Sequence, residues 1–218
     1  MPHKRKDLGI KGPNLWYLVG LITSDGCLSS DRRHINITSK DYSFLRGLKK
    51  EFGLVNKIGV KNRGRIRQAY QIQLANVNFY NFLLSIGLMQ NKSLTLEQVD
   101  VPKVYFPNFL RGLIDGDGGM QRWIHPTNKR EQWNLRVASG SIKFLEWLQD
   151  NIEKIIGVTG KLYKEAPTRF RLKYGKMAAR VIVRKCYYKG CFGLERKVAL
   201  ARACIDSYRG WKRSNTIL

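Results

Sequence analysis

Two aspartates draw attention because they occur twice in the same setting. Asp25 follows the stretch LWYLVGLITS and precedes Gly26, and Asp117 follows PNFLRGLIDG and precedes Gly118. Leu18, Gly20, Leu21, Ile22, Asp25 and Gly26 recur as Leu110, Gly112, Leu113, Ile114, Asp117 and Gly118, a spacing of 92 residues. The apolar periodicity of both stretches is helical, so each aspartate falls at a helix C-terminus. That is the unfavourable end for an acid, where the helix dipole costs about 0.3–1 kcal/mol. A glycine in mid-helix costs about 0.5–1 kcal/mol relative to alanine, which makes sense where a second backbone must come close. Packing Gly20 against Gly112 would bring two carboxylates together, adding repulsion. A hard divalent cation removes both penalties, because it seeks carboxylates, carbonyls and water, and a helix end exposes carbonyls. Asp-Gly is also an ordinary helix-ending turn. Its repetition in one context, within a strongly basic chain, favours the cation site.

The elements around the two motifs repeat as well. Each is followed by a turn-rich strand pair and then a helix, at 41–52 in the first half and 141–156 in the second. Phe44, Leu45, Leu48 and Phe52 share one face of the first helix; Ile142, Leu145, Leu148, Ile152 and Ile156 share one face of the other. Two more strand-like runs follow each helix, at 57–61 and 68–74 and at 160–164 and 169–174. Each half then closes with a helix, at 77–86 and 177–186, and a last helix is expected near 194–205. Gly64 and Gly87 mark a hairpin tip and a helix end. The pattern predicts an α+β fold of two pseudo-symmetric αββαββα halves, 1–100 and 101–218, packed through the two motif helices, each half with an antiparallel four-stranded sheet.

The segments 18–26 and 110–118 closely resemble the LAGLIDADG motif, and with the repeated element order the resemblance covers nearly the whole chain. Two copies in one chain resemble the single-chain members of the LAGLIDADG homing endonuclease family. The resemblance implies a metal-dependent double-strand DNA endonuclease, intron-encoded in many cases, in which Asp25 and Asp117 bind Mg2+. Mn2+ is expected to substitute, and Ca2+ to support binding without cleavage. Backbone carbonyls at Ser24 and Gly116 are the implied additional ligands. Pocket residues before the second helix of each half correspond to Ser39 and Ser139, and a lysine after the third helix corresponds to Lys92 and Lys197. The sheets become saddles in the major groove, and the two sites cut opposite strands to leave 3′ overhangs of about four bases. The sixth motif position is Asp115 in the second copy but Thr23 in the first, a position more variable in the family than the metal ligand.

Charge agrees with a polyanionic partner. Lys and Arg total 40 against 16 Asp and Glu, a net charge of +24, and such a surface repels itself unless it meets a polyanion. The excess is spread over both halves, with 17 basic and 7 acidic residues in 1–109 and 23 and 9 in 110–218. With 43% hydrophobic and 11% aromatic residues the chain can bury a core rather than remain disordered. Cys27, Cys186, Cys191 and Cys204 lack zinc-ligand spacing and read as free thiols. No apolar run is long enough to span a membrane and no signal peptide is evident, so an intracellular, soluble protein is expected.

Alternation assigns the strand faces. Tyr70, Ile72 and Leu74 oppose Gln71 and Gln73, whose face extends back through Arg67, Arg65, Arg63 and Lys61. Ile35 and Ile37 oppose His34 and Asn36; Trp133, Leu135 and Val137 oppose Gln132, Asn134 and Arg136; Phe170, Leu172 and Tyr174 oppose Arg169, Arg171 and Lys173. Side chains of these types read base edges in the major groove. Ser29, Arg33 and Gln121 complete the candidate DNA-contacting set with Ser39 and Ser139. The halves carry different polar side chains, so the expected partner is one asymmetric duplex of about 20 base pairs, one half-site to each saddle, bound by a monomer. The rival readings are an RNA maturase acting on an intron and a DNA-binding protein that does not cleave. Both acids are retained and no helix-turn-helix segment is added, which favours cleavage.

Overall fold

The computed structural model describes residues 8–63 and 67–214, with the side chains of residues 62, 63, 67 and 208–214 outside the description. In the first half α1 (Gly12–Asp25) leads to β1 (Gly26–Leu28), β2 (His34–Ser39), α2 (Tyr42–Glu51), β3 (Ile58–Arg63), β4 (Arg67–Ala75) and α3 (Val77–Ser85). A single 3-10 turn at Lys103–Tyr105 precedes the second half: α4 (Phe106–Gly116), β5 (Gly118–Ile124), β6 (Glu131–Ser139), α5 (Ile142–Ile156), β7 (Lys161–Ala166), β8 (Arg169–Tyr174) and α6 (Lys176–Cys186). A last helix, α7 (Glu195–Ser214), closes the chain. The expected αββαββα order is present in both halves. The expected tip at Gly64, and Arg65 with it, lie outside the described residues.

Local chemistry sets the helix boundaries. Proline occupies the first turn of both motif helices, where its missing N–H is no loss. Asp41, Asn76 and Ser141 cap α2, α3 and α5 by accepting from the backbone N–H of Phe44, Phe79 and Phe144. Gly157, at φ 82°, ends α5 in the left-handed conformation that glycine tolerates best.

The described strands form two antiparallel sheets of matching order, β1-β2-β4-β3 and β5-β6-β8-β7. Register places the apolar sets of adjacent strands opposite one another. Ile35 and Ile37 pair with Leu74 and Ile72, all buried, while Asn36 pairs with Gln73. Leu135 and Val137 pair with Tyr174 and Leu172, and Arg136 pairs with Lys173. The apolar faces, the inward stripes of the helices and both motif helices share one hydrophobic core.

At its centre α1 and α4 pack directly on each other. A Cβ added to Gly20 would lie 2.0 Å from the carbonyl oxygen of Phe109, and one added to Gly112 would lie 2.1 Å from that of Tyr17. The two mid-helix glycines are thus explained by reciprocal backbone contact. Cross-links beyond this contact tie the halves together. Gly140 abuts the Ser93 carbonyl, the Ser141 hydroxyl donates to the Leu96 carbonyl (2.5 Å), and Phe192 reaches back to stack on Phe44. The connecting segment therefore packs on the second half and does not merely join the two.

Candidate functional site

The packing of α1 on α4 sets both motif aspartates at one end of the helix pair, Asp25 as the last residue of α1 and Asp117 as the C-cap of α4. The glycines that follow are structural: a Cβ on Gly26 or Gly118 would fall 2.6 or 2.5 Å from the Cα of Ile22 or Ile114. The turn accounts for the glycines but gives no reason for the acids. Among the described residues neither carboxylate makes a hydrogen bond or ion pair with a side chain, and both residues remain open to solvent.

Protein nevertheless closes round the two carboxyl groups. Asp25 is pushed up to about 6, first by loss of solvation and then by the charge of Asp117, with Lys197, Lys92 and Arg196 opposing. Asp117 is raised by the same loss of solvation, against the pull of Lys92 and Lys197. The site is built from both halves: a Cβ on Gly116 would meet the Ser24 hydroxyl and come within 3.2 Å of an Asp25 carboxylate oxygen. A small pocket beside Asp117 is lined by Thr23, Ser24, Lys92, Ser139 and Gly140.

Both expected lysines arrive at the motif ends. The buried Lys92 donates from Nζ to the Gly26 carbonyl, and the buried Lys197 donates to the matching Gly118 carbonyl at 2.9 Å. Lys197 also donates to the carbonyls of Ile114 (2.6 Å), Asp115 (2.7 Å) and Gly116 (2.9 Å), which caps α4 with a cation where the dipole is negative. Loss of solvation lowers Lys92 below the usual lysine range and brings Lys197 to about 8.

The donor set fits a hard cation. Two carboxylates without side-chain partners share one end of the helix pair, and lysine charge stands near without ion-pairing. Among the described residues no three His, Cys, Asp or Glu side chains cluster, so carbonyls and water would complete any coordination shell. Of the expected carbonyl donors, that of Gly116 is shared with Lys197, while the Ser24 side chain turns back onto the Gly20 and Leu21 carbonyls.

The difference between Thr23 and Asp115 has a physical cause that sequence reasoning missed. Asp115 is 3% exposed and accepts from the Tyr17 hydroxyl (2.8 Å), the Tyr187 hydroxyl (2.7 Å) and the Leu194 N–H (2.9 Å). It pins α1 and the segment between α6 and α7 to α4. Thr23 simply donates to the Val19 carbonyl within its own helix (2.8 Å). Arg111, 1% exposed, donates to the Cys186 carbonyl and lies between the rings of Tyr17 and Tyr188. Only the helical spacing of Arg111 and Asp115 hinted at this arrangement.

The polar sheet faces divide the remaining candidates. In the first sheet Gln71 donates to Asn36 (2.6 Å) and Asn36 to Ser29 (3.1 Å), making an amide row across the face. His34 bonds Asp31, which also caps the N–H of the exposed Arg33 just before β2. Lys61 pairs with Ala69 on this same face and Gln73 is exposed, while the side chains of Arg63 and Arg67 lie outside the description. In the second sheet Gln121 is exposed, Gln132 and Arg136 are half-buried, and Lys173 is exposed.

Several placements depart from expectation. Ser39 and Ser139 register with Tyr70 and Phe170, the core-side set, and accept from the N–H of Asp41 and Ser141 (both 3.1 Å) as turn residues. Ser139 still lines the pocket beside Asp117; Ser39 does not. Asn134 is 4% exposed beneath the face and donates to Gln121 (3.4 Å). Glu165 takes Arg171 (2.6 Å) and Arg169 (3.5 Å), so these two arginines carry a local counter-charge. Exposed Trp123 and Tyr163 share the face through pairing with Gln132 and Arg171, two aromatics that a search for polar alternation passes over.

A family model described as a LAGLIDADG-like domain matches residues 12–87, the whole first half from α1 to the end of α3. The second half repeats its elements, sheet order and motif. The first half therefore matches a LAGLIDADG-like domain, and the second half shares its fold. Solved structures share the fold. The I-SmaMI LAGLIDADG homing endonuclease bound to cleaved DNA is 13% identical, with 94% of this chain and 92% of that one covered and a TM-score of 0.60. The LAGLIDADG homing endonuclease I-GzeII in complex with its DNA target is 11% identical, with 95% and 93% covered and a TM-score of 0.59. Full-length DUF199/WhiA from Thermatoga maritima is 16% identical with a TM-score of 0.57; the match covers 92% of this chain but 63% of that one. At these identities the likeness is one of fold. No curated protein matches the sequence. Among the described residues no helix of the chain is long and apolar enough to cross a membrane.

Proposed function

We propose that the chain is a site-specific double-strand DNA endonuclease that acts as a monomer on one asymmetric duplex of about 20 base pairs, one half-site to each saddle. The observation that carries this reading is the end of the α1–α4 pair. There two carboxylates without side-chain partners stand near two lysines tethered to equivalent carbonyls, beside two sheets with polar faces.

Asp25 and Asp117 would hold Mg2+ together with carbonyls at Ser24 and Gly116, with Mn2+ able to replace it and Ca2+ supporting binding alone. A divalent cation there supplies an activated water and neutralises charge at the phosphodiester. Lys92 and Lys197 are anchored by carbonyls, so their ammonium charge stands beside the scissile phosphates without collapsing onto the acids. Pseudo-symmetry presents one aspartate and one lysine to each strand, which suits paired cuts that leave short 3′ overhangs. Gln71, Gln73, Asn36, Gln132, Arg136, Arg171 and Lys173 face the groove and read bases.

The test is cleavage selection from a randomised duplex library with Mg2+. A single asymmetric consensus, cut on both strands, is the expected product. A palindromic consensus or a population left uncut would overturn the reading.

A further inference from the structure

The helix-covered side of the first sheet carries a feature that the saddle does not use. An open cleft of about 570 Å³ lies between α2 and the start of β3, lined by Arg46, Lys49, Lys50 and Lys57 with Tyr42 and Leu54. No acid lines it. Asp41, at the start of α2, is occupied by the Ser43 hydroxyl and the Phe44 N–H, and Glu51, at its end, by Asn14. None of the four cations forms an ion pair among the described residues. The helix dipole accounts for Lys49 and Lys50 in the last turn of α2. It does not account for Arg46, one turn earlier, or for Lys57, which lies beyond the helix. Four like charges round one cleft repel one another unless an anion joins them.

The cleft opens away from the saddle. Phe44, Leu45 and Leu48 bury the other side of α2 against the core face of the sheet, whereas Gln71 and Gln73 stand on the opposite face. Tyr42 is 47% exposed, and its ring meets Tyr70 edge-on at 5.1 Å. Backbone-tracking cations beside an exposed ring are the two parts of a surface for unpaired nucleotides, since only an unpaired base can lay its face on an aromatic side chain. A base pair stacked in a duplex has no free face to offer.

We infer that this cleft is a second nucleic-acid site that takes a single-stranded segment, its phosphates on Arg46, Lys49, Lys50 and Lys57 and a base on Tyr42. The site does not depend on the nuclease reading and needs neither Asp25 nor Asp117.

The test uses the full chain with its saddle saturated by unlabelled random-sequence duplex, titrated against fluorescent oligo(dU) and oligo(U) strands of about 15 nucleotides. The wild type should bind a single strand under these conditions, and the stronger of the two strands tells whether the 2′-hydroxyl is read. Replacing the four cations by alanine should lower the salt slope by about 3, four phosphates at about 0.7 each. Tyr42→Ala should weaken single-strand binding about tenfold and Tyr42→Phe should preserve it. Duplex binding should stay as in the wild type for all of these surface variants, and each should still unfold cooperatively with no more than the small loss expected from the helix end and the Tyr70 contact. Complete displacement of the strand by duplex would overturn the inference and make the cleft a flank of the saddle. Wild-type single-strand binding by the four-alanine variant would overturn it too, leaving a solvated helix end.

Discussion

Gly20→Ala gives a test in which two simple forces predict opposite signs. By helix propensity alone the substitution should stabilise α1 by about 0.5–1 kcal/mol. By packing it should do the reverse, because the new methyl lies 2.0 Å from the Phe109 carbonyl oxygen and 2.9 Å from its carbon. These are backbone atoms of α4, not the end of a flexible side chain, so relief requires the helices to separate by about 1 Å. Overpacking of this kind costs about 1–3 kcal/mol, and a backbone clash belongs at the upper end. The net expectation is a loss of about 2 kcal/mol, or about 4–8 °C in melting temperature for a chain of this size. Separating the helices also spreads Asp25 from Asp117, so cleavage should fall by more than stability alone explains. Thermal denaturation by circular dichroism, paired with cleavage at a temperature where the variant is folded, measures both effects. An unchanged or raised melting temperature would refute the reciprocal glycine contact and with it the placement of the two acids.

Further outcomes follow from particular contacts and charges. Asp115→Ala orphans two buried hydroxyls and one buried N–H and should cost about 3 kcal/mol or more, read as a lower denaturation midpoint; wild-type stability would contradict its role as a pin. Asp25 is raised from the ordinary aspartate range to about 6, so a proton should compete with the proposed cation below pH 6, and calorimetric Mn2+ affinity should drop as pH falls through that value. The same raised value means that the metal-free protein loses stability as pH rises from the ordinary aspartate range toward 6, and Asp25→Asn should remove that loss. Arg171→Ala and Gln71→Ala should each relax base preference in a different half-site by about 1–3 kcal/mol, read by selection; an unchanged profile in both would refute the face assignment.

Much of this was legible in the sequence because it repeats. Gly20 and Gly112 announced a close helix contact, alternation placed Ile35, Ile72, Leu135 and Leu172 inward, and the element order held in both halves. Lys92 and Lys197 were reachable only through family resemblance, since their carbonyl partners lie 66 and 79 residues away in sequence at Gly26 and Gly118. Asp115 illustrates the limit of pattern reading. Its three donors come from Tyr17, Tyr187 and Leu194, and no local spacing reveals that they converge. Alternation also carries no information about depth or neighbours. It put Asn134 on the polar face but could not show it buried there, and it could not show Glu165 holding Arg169 and Arg171. Ser39 and Ser139 alternate onto the core side because each ends its strand in a turn that feeds the next helix.

In the proposed mechanism Asp25 and Asp117 serve cleavage and not structure or DNA affinity. The direct measurement is Asp25→Asn and Asp117→Asn, each assayed on the selected duplex for binding with Ca2+ and for cleavage of each strand with Mg2+. Removing a negative charge beside the DNA should leave affinity equal or better, while double-strand cutting is lost or reduced to nicking. Double-strand cutting at the wild-type rate by either variant, or weak binding by both, would contradict it.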